Sequence, residues 1–490
     1  MLYRSTRSDQ TVTAPEAILS GIAKDGGLYL PCTMTFDAFN WEKTVQKDFY
    51  GIAEDVLGAM FDDFDKATIA DLVRRAYAGK FETEDVTPTV FVEDFALLEL
   101  FRGPTSAFKD VALSLLPHLL VESKKRLGVT DEIVILTATS GDPGKAALQG
   151  FMDVAGTKIV VFYPHGGVSA VQRAQMVTQG GDNTFVAAIR GNFDDAQTGV
   201  KNLFSSLRDS AELKDAGARL SSANSINIGR LAPQIVYYFK AYGDLVRAGK
   251  ARLGDAVDFV VPTGNFGNIL AGYFARRMGL PVGKLVCASN KNNVLYDFIR
   301  TGTYDRRRPF YLTNSPSMDI LVSSNLERLL FLLSEDESFV SSCMQNLFAK
   351  GTYQVPETVQ NRIREVFAGY FCDDAAAAET LGDVYRKTGV VIDPHTAVGV
   401  SAARQYRKDS GSDRPMVVLS TASPYKFSRP VLKAIGQSAD GEEFDLLKQL
   451  SAVTGTPIPP NLAALKTMPE RHLSVIDKEE MGDFVRRALS

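Results

Sequence analysis

Ile133-Val-Ile-Leu-Thr137, Ala138-Thr-Ser-Gly-Asp-Pro-Gly144 and Lys158-Ile-Val-Val-Phe-Tyr163 decide how the rest of the chain is read. The first is a short β-branched run, the second a loop, and the third again a strand, with Lys145 to Val154 helical in pattern between them. Strand, helix and strand in that order predict a βαβ unit, with parallel strands and a right-handed crossover. The pattern returns at Asp258-Phe-Val-Val-Pro-Thr-Gly264-Asn-Phe-Gly-Asn268, followed by a helix from Ile269 to Arg277, a stop at Gly279-Leu-Pro281 and a strand from Leu285 to Ser289. Met416 to Ser420 reads as one more buried strand, and Glu327 to Arg386 as mostly helical. Alternation of this kind predicts an α/β fold of two open domains with largely parallel sheets. The expected organisation is an N-terminal segment to residue 95, α/β domains over 96–230 and 231–435, and a C-terminal appendage from 436.

Upstream of the first unit, Phe101-Arg-Gly-Pro-Thr-Ser-Ala-Phe-Lys109-Asp places a lysine at the start of an amphipathic helix. Phe108, Val111, Ala112, Leu115, Leu116, Leu119 and Leu120 keep one buried face, and Pro117 predicts a kink within it. Thr105 or Ser106 is positioned to cap the first turn. Lys109 then lies beside the apolar face and the positive helix terminus, both of which lower an amine's pKa. A depressed pKa suits a lysine that attacks a carbonyl. The same stretch also fits a solvated lysine whose stem snorkels along the helix.

Two glycine-rich loops each follow a strand and open a helix, where backbone amides and the helix dipole favour an anion. In Thr263-Gly-Asn-Phe-Gly-Asn268, Gly264 and Gly267 are expected to allow positive φ and the close approach of a phosphate. In Thr139-Ser-Gly-Asp-Pro-Gly144, the side chains of Thr139, Ser140 and Asp142 add partners, and Lys145 offers a charge to a second anion. Gly141 to Ala146 is too short between its glycines for a P-loop and has alanine where a magnesium-ligating hydroxyl belongs, which argues against an NTPase. A lysine able to form an imine, a phosphate cradle without a magnesium ligand and a second anion site together point to pyridoxal phosphate. Its aldehyde would lie on Lys109 and its phosphate on Gly264 to Asn268.

Composition sets bounds on this reading. The chain has 490 residues, 45% apolar and 23% charged, with a formal charge of -4, so several domains are expected and no nucleic-acid or membrane surface is signalled. Cys32, Cys287, Cys343 and Cys372 are far apart, which makes neither a disulfide framework nor a zinc site. Four histidines without close pairing give metal hydrolysis little support, and no metal is expected. The N-terminus lacks an apolar signal core, so a cytoplasmic protein is expected, acting on a small molecule as a monomer or homodimer. His395 in Asp393-Pro-His-Thr reads as a hydrogen-bonded structural histidine behind a capping residue.

Five motifs in order carry a resemblance. They are Lys109 in its Gly103-Pro-Thr-Ser-Ala-Phe-Lys-Asp110 setting, Leu136-Thr-Ala-Thr-Ser-Gly-Asp-Pro-Gly144, Ser222-Ala-Asn-Ser-Ile-Asn-Ile-Gly-Arg230, Pro262-Thr-Gly-Asn-Phe-Gly-Asn268 and Ser420-Thr-Ala-Ser-Pro-Tyr-Lys-Phe427. Together they resemble threonine synthase, in its longer type found in bacteria and fungi. The match begins at Ser5-Thr-Arg and Gly26-Gly-Leu-Tyr-Leu-Pro31 and runs to about residue 430. The resemblance implies a fold-type-II pyridoxal-phosphate enzyme, similar to the tryptophan synthase β chain, that converts O-phospho-L-homoserine and water to L-threonine and phosphate. It implies that Lys109 bonds the cofactor, that Gly264, Asn265, Phe266, Gly267 and Asn268 cradle its phosphate, and that Thr421 meets the pyridine nitrogen. Thr139, Ser140, Asp142, Asn224, Ser225 and Asn227 resemble the loops around the substrate and the cofactor's hydroxyl edge. Lys145, Arg230 and Lys426 are the candidates for holding the substrate phosphate. Pro143, Ser423 and the stretch Ser315-Pro-Ser-Met-Asp319, read as carrying an extra residue, depart from the family pattern, which leaves a phospho-lyase on O-phosphohomoserine or a similar γ-phosphorylated amino acid as the alternative.

Overall fold

The β-branched and apolar runs form the strands of two main sheets in the computed structural model, which describes residues 1–36, 38–139, 141–207 and 210–489. In chain order these strands are β1 (Thr89–Val92), β2 (Phe95–Glu99), β3 (Glu132–Ala138), β4 (Thr157–Pro164), β5 (Thr184–Ile189) and β6 (Ala218–Ser221). They continue with β7 (Val257–Pro262), β8 (Val282–Ser289), β9 (Phe367–Phe371), β10 (Met416–Ser420) and β11 (Val475–Ile476). One sheet has the order β9-β8-β7-β10-β2-β1 and the other β11-β5-β4-β3-β6. Every pair is parallel except β1 with β2. Central β7 and β10 are buried at every residue, as a parallel strand covered on both faces must be. An antiparallel sheet of Leu2–Ser5, Thr11–Thr13 and Tyr29–Pro31 stands at the N-terminus.

Seven helices matter for the site: α1 (Lys109–Leu113), α2 (Leu116–Arg126), α3 (Asp142–Phe151), α4 (Ile228–Leu231), α5 (Pro233–Arg247), α6 (Gly267–Arg277) and α7 (Pro394–Ser410). Both expected βαβ units are present, β3-α3-β4 and β7-α6-β8, each with parallel strands. Their loops leave the carboxyl ends of the strands, where open α/β sheets bind ligands.

The lysine helix differs from expectation. Pro117 starts a second helix, α2, rather than kinking one long helix. Proline has no N–H for the carbonyl of Leu113, and that carbonyl faces Gly150 of α3, where a Cβ would come within 2.1 Å of it. Helix α3 begins at Asp142, three residues earlier than expected, because Pro143 sits in its first turn, where a missing N–H costs nothing.

Sheet membership also crosses the expected domain limits. The boundary between residues 95 and 96 cuts β2, which pairs with β10 through Val418 opposite Leu97. Phe367–Phe371 was expected within a helical region, yet it is the parallel edge strand β9, beside β8. The C-terminal stretch, expected as an appendage, supplies β11 to the other sheet, beside β5.

Candidate active site

The loop Thr263 to Asn268 joins β7 to α6. Phe266, not a glycine, takes the left-handed conformation, at φ +61°. Gly264 is required by close approach instead: a Cβ there would meet the carbonyl of Ser317 at 2.5 Å. On Gly267 a Cβ would meet Asn325 and Gln234 at 3.5 and 3.8 Å, ordinary contact distances, so nothing crowds this residue as Ser317 crowds Gly264. Asn268 accepts from the hydroxyls of Tyr237 and Tyr238 through Oδ1, while its buried Nδ2 has no partner. A buried donor without an acceptor is costly, and this one stands in the first turn of a helix, whose leading N–H groups lack intrahelical acceptors. The loop therefore suits a phosphate. The Asn265 carbonyl accepts from Asn325 Nδ2 at 3.1 Å, which ties the loop to the carbonyl of Ser225, also 3.1 Å from that nitrogen.

Lys109 opens α1 and is 7% exposed. Its Nζ lies 3.2 Å from Ser317 Oγ, and Ser317 also covers Gly264, so one residue links the lysine to the phosphate loop. Burial holds the amine down to about 8; Asp142 opposes the shift, whereas Lys426 and Arg230 add to it. The expected cap is reversed here. Thr105 donates from N and Oγ1 to Asp110 at 2.8 and 2.5 Å, and Ser106 takes φ +57°. Asp110 fills the space that a Cβ on Gly103 would need. Thr421 and Ala422 lie alongside: Phe108 N donates to Thr421 O at 2.9 Å, and Ala107 and Ala422 form an antiparallel bridge. Thr421 and Lys109 thus share one edge of the site.

The second wall is charged. Asp142 accepts from Lys426 at 2.6 Å and from Gln172 at 3.1 Å. Burial raises its carboxyl, but Lys426 and Lys109 outweigh that and hold it well below the usual carboxylate range. Lys426 donates further to the carbonyl of Thr105 at 3.1 Å. Lys145 and Arg230 are buried with neutral partners only. Lys145 reaches Gln179 and Gln149, and Arg230 reaches the carbonyl of Ala223 at 2.7 Å. Among the described residues no carboxylate lies within 4 Å of either cation. Burial pushes Lys145 down to about 8 and Arg230 down to about 10.

Other expected residues hold the frame rather than open onto it. Thr139 Oγ1 accepts from the amides of Gly141 and Gly144 at 3.0 and 2.9 Å, which closes the turn. Asn227 caps α4 through Oδ1 and donates to the carbonyls of Ile18 and Ser222, so its amide is fully engaged. Asn224 is exposed and Ser225 half-buried. Ser140 lies outside the described residues. Ser423 Oγ accepts from Tyr425 N at 3.3 Å, a capping contact.

Ser317, Asn325 and Gln234 join the site without having been expected there. Gln234 lies on α5 just past the Arg230 motif, a proximity visible in the sequence; Ser317 and Asn325 become neighbours of the loop only through folding. Fully buried Arg328 completes this part by donating to Asn325 Oδ1, the carbonyl of Tyr29 and the carbonyl of Ile226.

Known proteins share this arrangement. Residues 84–422 match the profile of pyridoxal-phosphate dependent enzymes, and 2–77 and 396–485 match the N-terminal and C-terminal profiles of threonine synthase. Threonine synthase of Pseudomonas aeruginosa is 41% identical over 449 residues, covering 89% of this chain and 91% of that one. The chain belongs to the threonine synthase family. A PLP-bound threonine synthase from Brucella melitensis superposes with a TM-score of 0.88 at 37% identity, over 100% of this chain and 99% of that one. Threonine synthase-like 1 of Homo sapiens is 36% identical over 433 residues; that match covers 86% of this chain and 58% of the longer human relative. Family membership brings pyridoxal phosphate as the cofactor. The orphaned Asn268 amide at the start of α6 and the buried amine of Lys109 fit its phosphate and its aldehyde. Among the described residues no helix is long and apolar enough to cross a membrane.

Proposed function

We propose that this chain converts O-phospho-L-homoserine and water to L-threonine and phosphate. The observation that carries the reading is the two buried cations, Lys145 and Arg230, neither of which has a carboxylate within 4 Å among the described residues, in a site with the buried amine of Lys109. A phosphorylated substrate satisfies both. Gly264, Asn265, Phe266, Gly267 and Asn268 hold the cofactor phosphate, Thr421 meets the pyridine nitrogen, and Asp142 with Lys426 borders the ring. When bound, pyridoxal phosphate supplies the electron sink next to the substrate's α-carbon. Lys109 does the proton work. An amine near 8 exists in both forms at neutral to mildly alkaline pH, so Nζ takes a proton from one carbon and returns one to its neighbour. Lys145 and Arg230 bind and orient the phosphate that leaves, because a dianion in a closed site needs donors or cations. Thr139, Asn224, Ser225 and Asn227 shape the substrate loops, and Asn227 does so through backbone contacts alone.

Supplying O-phospho-L-homoserine to the cofactor-loaded protein tests this reading. Threonine and phosphate in equal amounts are expected. Phosphate with a keto acid and ammonia would overturn it in favour of a lyase. No phosphate release at all would remove both. The chain may be assayed with phosphoserine alongside, which should release less than a tenth as much phosphate, since its leaving group hangs one carbon short.

A further inference from the structure

Asp393 caps α7 with Oδ1, which accepts from Thr396 N at 3.1 Å. Capping needs no more than that. The other oxygen, Oδ2, lies 2.6 Å from Nδ1 of His395. His395 is 1% exposed, and its Nε2 receives the backbone amide of Ser317 at 3.1 Å, from a turn 78 residues earlier in the chain. A backbone amide only donates, so Nε2 is the unprotonated nitrogen and Nδ1–H donates to Asp393. The ring is wedged edge-on against Phe427 with centroids 5.0 Å apart, which fixes its plane. The residue it holds, Ser317, is the one whose Oγ touches Lys109 Nζ and whose carbonyl crowds Gly264. The far side of the same turn is anchored by Asp319, which accepts from Asn290, Asn292 and Thr313 at 2.7, 3.0 and 2.8 Å.

We propose that the buried Asp393–His395 pair is a positioning dyad for Lys109: it sets the amide of Ser317 so that the Ser317 hydroxyl receives the lysine amine and aims it across the phosphate loop. The inference rests on Lys109 being the amine that engages the cofactor. The charged groups facing that amine are Asp142, Lys426, Arg230 and Asp110, from α3, the turn after β10, α4 and α1. Among the described residues none of the four is hydrogen-bonded to Ser317 or His395.

The test mixes pyridoxal phosphate with the full-length chain freed of cofactor and follows the rise of visible absorbance against pH. Loss of an acceptor for the ammonium form lowers the midpoint. Ser317→Ala is expected to lower it by about half to one pH unit, and His395→Ala by a similar amount. The double variant should add nothing further, because both changes remove one contact. His395→Gln, which keeps an acceptor for the Ser317 amide, should restore most of the shift. Ser317 is half-buried, so its alanine variant folds and keeps the test valid should His395→Ala lose stability. A lower melting temperature in His395→Ala with the Ser317→Ala midpoint unchanged would overturn the dyad and leave Lys109 as it is. Absorbance that persists in Lys109→Ala would remove the premise, and the proposed function with it.

Discussion

In the function proposed above, Gly264 to Asn268 would hold an anion through backbone, a helix terminus and neutral side chains within five consecutive residues. The proposed substrate site instead uses two full charges, Lys145 on α3 and Arg230 on α4, each held by carbonyl or carboxamide oxygens. The first is inexpensive when empty, since amides and carboxamides tolerate burial better than ions do. The second is not, and the depressed pKa values of both cations record that cost. A resident group suits the first design; a group that arrives and leaves on every turnover suits the second. Lys426 differs from both, since Asp142 neutralises it.

The largest effect that would break this contrast is expected at the loop. Gly267→Val adds a branched side chain to the proposed phosphate loop beside Asn268, and cofactor occupancy measured by visible absorbance should fall below a tenth of the parent's. Normal occupancy would move the phosphate elsewhere. Next comes Lys426→Met, which leaves Asp142 buried without its cation and should cost about 3–5 kcal/mol of stability in denaturant titration. Lys145→Met should do the reverse to the fold, raising the melting temperature of the cofactor-free chain by about 1–2 °C, while raising KM roughly 10- to 100-fold. A drop in stability as large as that of Lys426→Met would erase the distinction between paired and unpaired cations.

The smallest effect is in pH. The amines of Lys109 and Lys145 are held near 8 in the folded chain against 10.5 in the unfolded one. Between those values the unfolded state binds more protons, so these two groups make stability rise with pH from about 8 to 10.5; below 8 their full burial penalty is present. Melting temperature of the cofactor-free chain, compared with Lys145→Met over that window, isolates the Lys145 part as the steeper rise in the parent. Inorganic phosphate should flatten it.

What could be read before folding follows the same division. The βαβ units and the Gly264 to Asn268 loop are local, and hydrophobic period with turn residues marks them. The identity of the left-handed residue was missed, because Phe266 takes a conformation that composition assigns to its glycine neighbours and Gly264 answers to Ser317 instead. Ser317, His395 and Asn325 meet only through contacts across 60 to 208 residues, which no window of periodicity samples. Phe367–Phe371 follows a helix with no intervening turn, so its strand character is hidden by the helical sequence before it. The burial of Lys109, the main reason its amine is depressed, could be read from its helix, whereas the smaller contributions of Lys426 and Arg230 come from residues the sequence places far away.

One contact of the C-terminal region sets an order of events in synthesis. Asn461 Nδ2 donates to the carbonyl of Pro104 at 2.8 Å and to Ser106 Oγ at 2.9 Å, fastening the turn that leads into Lys109, where Ser106 is left-handed. Asn461 is 357 residues downstream of Pro104. At about 5–20 residues per second the ribosome needs roughly 20–70 s to travel that distance. During that interval the turn exists without its fastener, so the nascent chain carries Lys109 in an unfinished setting, which is completed only once Asn461 has been made.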